Sequence, residues 1–307
     1  MTHPDYSSIF AETVSEFSRD DDRGKVASYI PALSKIDPNK LGIYLMTVEQ
    51  GHYTYGDADE KFSIQSVAKV LSLSLALKIM GKDLWDRVGV EPSGSAFNSL
   101  VQLEHESGIP RNPLINSGAI VVCDMLMTCL KDPRAELIEF VRKSSGIADI
   151  DYSPSIAASE KEVGYRNYAL INLMKDFGNI HNDVEVVLDL YFHLCSIEMT
   201  CKELAQTFLF FASNGLNPIT NEVVLDPRRT KRINSVMQMC GFYDEAGEFA
   251  FEVGLPGKSG VSGCIVAVHP GEYSVAVWSP KLNAKGNSHK GLKILEALTT
   301  KTNSSIF

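Results

Sequence analysis

The sequence predicts an α+β protein in which one antiparallel sheet is built from both chain ends, is flanked by helices, and is interrupted by a mainly α-helical insertion. Alternating apolar residues around a Gln-Gly turn predict a β-hairpin over 41–55. A second strand pair is expected at 261–269 and 273–278, while helical patterns dominate 82–240. The strands can share one sheet only if the two chain ends meet.

Residues 66–80 are apolar on nearly every face of a helical wheel, which predicts a buried helix. We therefore expect a sheet domain of residues 1–65 plus 241–307 and a helical domain of residues 66–240, with the active site between them.

Apolar spacing and capping signals predict the other helices. Thr200 to Glu203 has the form of a capping box, and Asp226 followed by Pro227 reads as an N-cap with proline in the first turn. Helices are expected at 8–18, 117–130, 134–144, 159–177, from 182 or 183 to 195, from 200 to 215, from 226 to 241 and at 290–299.

Composition excludes several classes of function. Apolar residues make up 44% and charged residues 22%, as in soluble globular proteins. The net charge of −9 argues against nucleic acids and anionic membranes as partners. The one dense basic cluster is expected to be a solvated helix face; it comprises Arg228, Arg229, Lys231 and Arg232.

No run of 18 apolar residues and no secretory signal is seen, so a cytoplasmic location is expected. The six cysteines form no C-x-x-C pair and the seven histidines no H-x-x-x-H pair. These patterns predict free thiols and no dedicated zinc site.

Ser66-Val67-Ala68-Lys69 opens the buried helix and is the first candidate for chemistry. Residues three apart share a helix face, so the Ser66 hydroxyl and the Lys69 amine can meet. Serine needs a base to become a nucleophile. Desolvation in an apolar helix can lower the pKa of lysine enough for it to serve as that base.

Lys258-Ser259-Gly260 precedes the late strands and is the second candidate. A cation and a hydroxyl there could hold a substrate carboxylate, and the glycine would let the substrate approach the strand edge. S-x-x-K with a later K-S-G is typical of penicillin-recognising serine enzymes. Their intervening S-D-N triad is absent as written, and Tyr165-Arg166-Asn167 is a candidate replacement.

Longer strings make the resemblance specific. Over essentially its whole length, the chain resembles the serine-dependent bacterial-type glutaminases. The strings that carry this resemblance are F-S-I-Q-S-V-A-K at 62–69, P-S-G-S-A-F-N-S at 92–99, I-P-R-N-P-L-I-N-S-G-A at 109–119 and G-L-P-G-K-S-G-V-S-G at 254–263.

The resemblance implies a β-lactamase-like fold and hydrolysis of L-glutamine to L-glutamate and ammonia without metal or organic cofactor. It also implies a homo-oligomer, often a tetramer. By the same resemblance, Ser66 is the acylated nucleophile and Lys69 its base.

The substrate-binding residues of the family fall on Asn116, Glu160 and Asn167. A spacing of seven residues would place Glu160 and Asn167 on one face of the helix expected at 159–177. A carboxylate and an amide on one face suit the ammonium and carboxylate ends of a free amino acid.

Further family positions fall on three tyrosines and one valine. Tyr243 would lie near the nucleophile and relay its proton, while Tyr191 and Tyr29 would line the pocket. Val261 would lend its backbone N–H, with that of Ser66, to an oxyanion hole.

Two alternatives stay open at the level of sequence. One is a penicillin-recognising serine hydrolase of the same fold, which shares the S-x-x-K and K-S-G motifs. The other is a non-catalytic small-molecule-binding module, against which the intact set of Ser66, Lys69, Tyr243 and Lys258 argues.

Overall fold

The computed structural model describes residues 4–17, 23–94 and 98–307. Residues 95–97, part of the second family string, lie outside the described residues. Within the described ranges the chain forms one five-stranded sheet, a small three-stranded sheet and a large helical block.

The five-stranded sheet joins both chain ends, as predicted. Its strands are β1 (Gly42–Thr47), β2 (His52–Gly56), β6 (Gly257–Ser259), β7 (Cys264–His269) and β8 (Tyr273–Trp278). The order is β2-β1-β8-β7-β6, and every neighbouring pair is antiparallel. Strand β1 from the N-terminal part pairs directly with β8 from the C-terminal part.

Alternation along β1 and β8 explains why this sheet is covered on both faces. Ile43 and Val277 pack with the terminal helices α1 (Tyr6–Phe17) and α12 (His289–Thr302). Tyr44 and Ala276 face the helical block on the other side. Both strands are therefore buried along their length.

The helical block surrounds the apolar helix α2 (Ala68–Met80). The helices that follow it along the chain are α3 (Leu100–His105), α4 (Asn116–Cys129), α5 (Pro133–Ser145), α6 (Pro154–Glu162), α7 (Tyr165–Asp176), α8 (Val184–Cys195), α9 (Cys201–Ala212), α10 (Pro227–Cys240) and α11 (Ala246–Glu252). Helix α2 packs against α4, α5, α8 and α10. The capping box at Thr200 and the N-cap at Asp226 are both present.

The helix expected at 159–177 is wrong as a single element, because the chain forms α6 and α7 with a break at Gly164. A Cβ at Gly164 would lie 2.7 Å from the ring of Phe192 in α8. The glycine therefore allows the break to lie against α8, a segment distant in the chain.

The strand expected at 261–269 is also shorter than predicted, since β7 begins at Cys264. Lys258 and Ser259 belong to the separate edge strand β6, and residues 260–263 form a turn between the two. Gly263 has a φ of +89°, and a Cβ there would meet the Ser279 carbonyl oxygen at 2.2 Å.

The sequence did not predict the small sheet of β3 (Phe62–Ser63), β5 (Ile197–Met199) and β4 (Asp151–Tyr152). Helix α9, from the segment assigned to the helical domain, packs on β1 and β8 of the large sheet. The domain boundaries at residues 65 and 240 stay a prediction.

The surface and the thiols fit the expectations for a globular chain. Arg228 and Lys231 are exposed on α10. All six cysteines lie in the described part of the chain and are free thiols. In the ranges that the structure covers, no helix is long and apolar enough to cross a membrane.

Candidate active site

A cavity of about 250 Å³ opens where the N-terminal ends of α2, α4 and α7 meet α6, α8 and the turn before β7. Seven of the predicted site residues contribute to its lining: Tyr29, Ser66, Asn116, Glu160, Asn167, Tyr191 and Val261. These residues come from segments more than 200 positions apart in the chain, so only the folded molecule brings them together.

Ser66 lies in a tight 3-10 turn, Gln65–Val67, immediately before α2. Gln65 has a φ of +49°, a conformation that a non-glycine residue keeps only when its surroundings impose it. A Cβ at Gly260 would lie 2.6 Å from the Ile64 carbonyl oxygen. Gly260 is thus required for the close approach of the β6–β7 turn to the Ser66 turn.

Lys69 is fully buried one turn after Ser66. Its ammonium donates to Asn116 Oδ1 at 2.6 Å and approaches the Leu114 carbonyl oxygen at 3.5 Å. Burial lowers the pKa of Lys69 to about 8, although the charge of Glu160 opposes that effect. A substantial fraction of this amine is therefore neutral at mildly alkaline pH.

Tyr243 lies in the 3-10 turn that follows α10, with a φ of +57°. Burial raises the pKa of Tyr243, and the nearby Ser66 side chain opposes this rise, which places the two hydroxyls close to each other. The Lys258 amine lies 4.0 Å from the centre of the Tyr243 ring, and the Lys69 amine lies 5.9 Å from it.

The expectation that Lys258 and Ser259 hold a substrate carboxylate is wrong. Both are fully buried, and among the described residues neither belongs to the cavity lining. The Lys258 amine donates to the Ser259 carbonyl oxygen at 2.7 Å, and burial holds its pKa well below the usual range. Lys258 instead places an amine against the ring of Tyr243.

Glu160 is buried at the end of α6, so it is not a solvated helix charge. Burial raises the pKa of Glu160 to about 7, while a hydrogen bond with Gln65 and the charge of Lys69 oppose the rise. The expectation that Glu160 and Asn167 share one helix is wrong, since Asn167 lies in α7. Both still reach the cavity because the chain turns at Gly164 between them.

Amide side chains link the lysine to the cavity wall. Asn116, at the start of α4, accepts from Lys69 and donates through Nδ2 to Asn167 Oδ1 at 3.0 Å. In its protonated form Lys69 can only donate, and this fixes the orientation of both amides.

The two remaining tyrosines lie at opposite depths. Tyr191, in α8, is 3% exposed, and the Lys69 amine lies 5.8 Å from its ring centre. Tyr29 is 55% exposed at the cavity mouth. Within the part of the chain that the structure describes, the backbone N–H of Val261 donates to no protein acceptor, so it can serve a ligand.

Sequence reasoning missed several lining residues, including Gln65, Asn98 and Cys195. Gln65 precedes Ser66 in the motif, and Cys195 lies one helical turn after Tyr191, so adjacency could have suggested both.

Arg166 is exposed at the mouth and donates to the Asn98 carbonyl oxygen at 3.4 Å. Burial raises the pKa of the Cys195 thiol to about 12, which keeps it protonated.

The arrangement suits nucleophilic attack on a small zwitterionic substrate. A serine hydroxyl at the cavity wall lies close to a tyrosine hydroxyl and directly follows the strained residue Gln65. A buried amine with a lowered pKa lies one turn away. A buried carboxylate and two oriented amides line the remaining wall.

Comparison with known proteins shows full-length similarity. The Glutaminase family model matches residues 24–307. The glutaminase of Saccharophagus degradans is 68% identical over 303 residues, covering 99% of each chain. That of Christiangramia forsetii is 55% identical, covering 99% of this chain and 100% of its own.

Solved structures agree with the sequence comparison. The probable glutaminase ybaS superposes with a TM-score of 0.94 at 30% identity, covering 100% of this chain and 99% of its own. A probable glutaminase of Bacillus subtilis gives a TM-score of 0.91 at 29% identity, covering 98% of each chain.

Proposed function

This chain belongs to the glutaminase family and hydrolyses L-glutamine to L-glutamate and ammonia, and from that premise we propose the roles of its residues. Its fold is the β-lactamase-like fold of its structural neighbours. Family membership decides in favour of the glutaminase over the two alternatives that the sequence left open.

Ser66 is the nucleophile in this proposal, and the observation that carries it is the position of its side chain at the cavity wall, one turn before the fully buried Lys69. The Ser66 oxygen attacks the carboxamide carbon of glutamine, and its proton passes to Lys69, directly or through Tyr243. The same proton is then delivered to the departing nitrogen, which leaves as ammonia. Water then attacks the glutamyl ester: its oxygen and one hydrogen complete the carboxyl group of glutamate, and its other proton passes through the same base to the Ser66 oxygen.

The tetrahedral intermediate needs donors for its oxyanion. The backbone N–H of Val261 has no competing protein acceptor among the described residues, and the Ser66 N–H lies in the 3-10 turn immediately before α2. Donors that are fixed before the reaction cost no reorganisation when the charge develops. We assign the oxyanion hole to these two groups.

Substrate recognition follows from the charge distribution of the lining. Glu160 is the buried carboxylate of the cavity and suits the ammonium of glutamine. Asn116 and Asn167 present amides to the polar ends of the substrate. Tyr191 forms an inner wall and Tyr29 covers the mouth.

The test is turnover of L-glutamine by Ser66→Ala beside a matched control, Ser74→Ala. Ser74 is a buried serine of α2 that bonds within its own helix, through the Val70 carbonyl oxygen at 2.7 Å. We expect Ser66→Ala to lose at least a thousandfold in kcat with an unchanged melting temperature, and Ser74→Ala to stay within twofold of wild type. A Ser66→Ala enzyme with wild-type kinetics would contradict the serine mechanism.

Assembly and location complete the proposal. We assign the chain to the cytoplasm as a homotetramer that acts on a small molecule and binds neither nucleic acid nor membrane. The net charge of −9 supports the last two assignments. A sedimentation mass of four chains is expected, and a mass of one chain at assay concentration would contradict the tetramer.

A further inference from the structure

Glu245 is a buried carboxylate outside the cavity, two residues after Tyr243. Its two oxygens accept from Asn283 Nδ2 at 2.9 and 3.0 Å, and Oε2 also accepts from Asn287 Nδ2. The Lys285 amine lies 3.9 Å from Oε1. Glu245 is 6% exposed, and its carboxylate accepts hydrogen bonds from two amide side chains of a distant segment. It therefore anchors that segment.

The donors belong to the connection 279–288, which links β8 to α12. Within it, Asn283 Oδ1 accepts the backbone N–H groups of Lys285 and Asn287, each at 3.0 Å. These bonds commit the carbonyl end of the Asn283 side chain to the connection. Its amide nitrogen must therefore face Glu245, and only an acceptor at position 245 satisfies it.

The same connection supports another wall of the cavity. Leu282 exchanges backbone hydrogen bonds with Lys25 at 2.9 Å, four residues before the tyrosine at the cavity mouth. Leu282 also packs in one apolar cluster with Val261. Glu245 thus ties the turn that carries Tyr243 to the support of the proposed oxyanion donor.

Tyr243 needs such an anchor, because its φ of +57° is unfavourable for a residue with a side chain. Before the turn, Gly241 accepts from Ser259 at 3.4 Å and the Phe242 ring stacks on Phe249. After the turn, the Glu245 carboxylate makes buried contacts with the connection 279–288, and Glu248 adds an exposed ion pair to Lys285.

We propose that Glu245 is a positioning residue that holds the Tyr243 hydroxyl against Ser66 by fixing the Tyr243 turn to the connection 279–288. The inference rests on the proposed role of Tyr243 in proton transfer. Loss of the anchor releases the hydroxyl from Ser66 while Glu160, Asn116 and the other substrate contacts remain. The expected signature is a fall in kcat at nearly constant KM.

The first experiment measures kcat and KM for three variants, two at Glu245 and one at Glu248. Glu245→Ala is expected to lower kcat at least tenfold with KM within twofold of wild type. Glu245→Gln is expected to restore kcat to within threefold, because one end of the glutamine accepts from Asn283 and the other can donate to Asn287 Oδ1, which accepts no bond from the described residues. Glu248→Ala removes an exposed ion pair to the same Lys285 and should leave kcat unchanged.

A double-mutant cycle with Tyr243→Phe separates positioning from general damage. If Glu245 acts through Tyr243, Glu245→Ala lowers kcat less than twofold in the Tyr243→Phe background. Losses that multiply, or a wild-type kcat for Glu245→Ala, would overturn the positioning role. A wild-type kcat for Tyr243→Phe would instead overturn the proposed proton relay, and the inference with it. If Glu245→Ala does not fold, Asn287→Ala enters the same cycle, with a smaller expected loss and the same two readings.

Discussion

Lys69 lies on α2, the buried helix at the centre of the helical block. The same burial lowers the pKa of Lys69 to about 8, so the fold itself sets the protonation state of this residue. Only the neutral amine can accept the proton of Ser66. We therefore expect kcat/KM to rise with pH and to level off above about 8.

The check is the pH profile of kcat/KM between pH 6 and 9, with Lys69→Arg as the comparison, since arginine stays protonated throughout this range. Lys69→Arg should show little activity at any pH. A wild-type profile that is flat from pH 6 to 9 would remove Lys69 as the base.

Glu160 gives a second pH dependence, of the same sign and at lower pH. Burial raises the pKa of Glu160 to about 7, and only its ionised form attracts the substrate ammonium. Below pH 7 the ionised fraction of Glu160 falls by up to tenfold per pH unit. We therefore expect KM to rise by up to tenfold per pH unit in this range.

The matched variant for this prediction is Glu160→Gln, in which no carboxylate remains to titrate. Its KM should be high at neutral pH and should change little between pH 5.5 and 8. If wild type and Glu160→Gln show the same KM at pH 8, the ammonium of glutamine is held elsewhere.

At this scale the sequence singled out candidate groups but not how deeply they are buried. Ser66 and Lys69 fall in one recognisable string, Tyr243 follows Gly241 and Phe242 outside the strings, and the structure places the three close together. The burial of Lys258 was not predictable, because it depends on how β6 packs against α10 and the Ser66 turn. The positive φ of Gln65 likewise reflects tertiary packing and has no local signal.

At the scale of elements, the break between α6 and α7 matters most for the site. Gly164 lies against the Phe192 ring, and any side chain there would overlap it. Gly164→Ala is therefore expected to destabilise the protein by about 1–3 kcal/mol. It should also raise KM, since it displaces the helices that carry Glu160 and Asn167.

The control is Gly247→Ala in α11, where an added Cβ meets nothing within 4 Å. Chemical denaturation and steady-state kinetics of both variants provide the measurement. Equal stabilities and equal KM values for the two alanine variants would show that the contact with Phe192 does not set the break.

Elements with local signals were predictable, and those set by distant contacts were not. The Thr200 capping box and the Asp226 N-cap mark α9 and α10 correctly, because capping involves residues within one turn. The split of 159–177 lies at Gly164, which packs against Phe192 of another helix, and apolar periodicity alone does not reveal it.

At the scale of the whole molecule, the pairing of β1 with β8 determines where the site lies. This pairing brings the turn before β7, with Val261, to the Ser66 turn that follows β2 and β3. Alternating apolar residues at both chain ends were sufficient to predict the sheet. The packing of α9 on that sheet was not predictable, since a buried helix and a helix that covers a sheet have similar patterns.

The most direct test of the serine mechanism is to find the covalent intermediate. Wild-type enzyme mixed with L-glutamine, quenched in acid within milliseconds and digested, can be examined by peptide mass spectrometry. We predict a glutamyl ester on the peptide that contains Ser66, absent from Ser66→Ala under the same conditions. An ester on a different residue, or rapid turnover by Ser66→Ala, would contradict the mechanism.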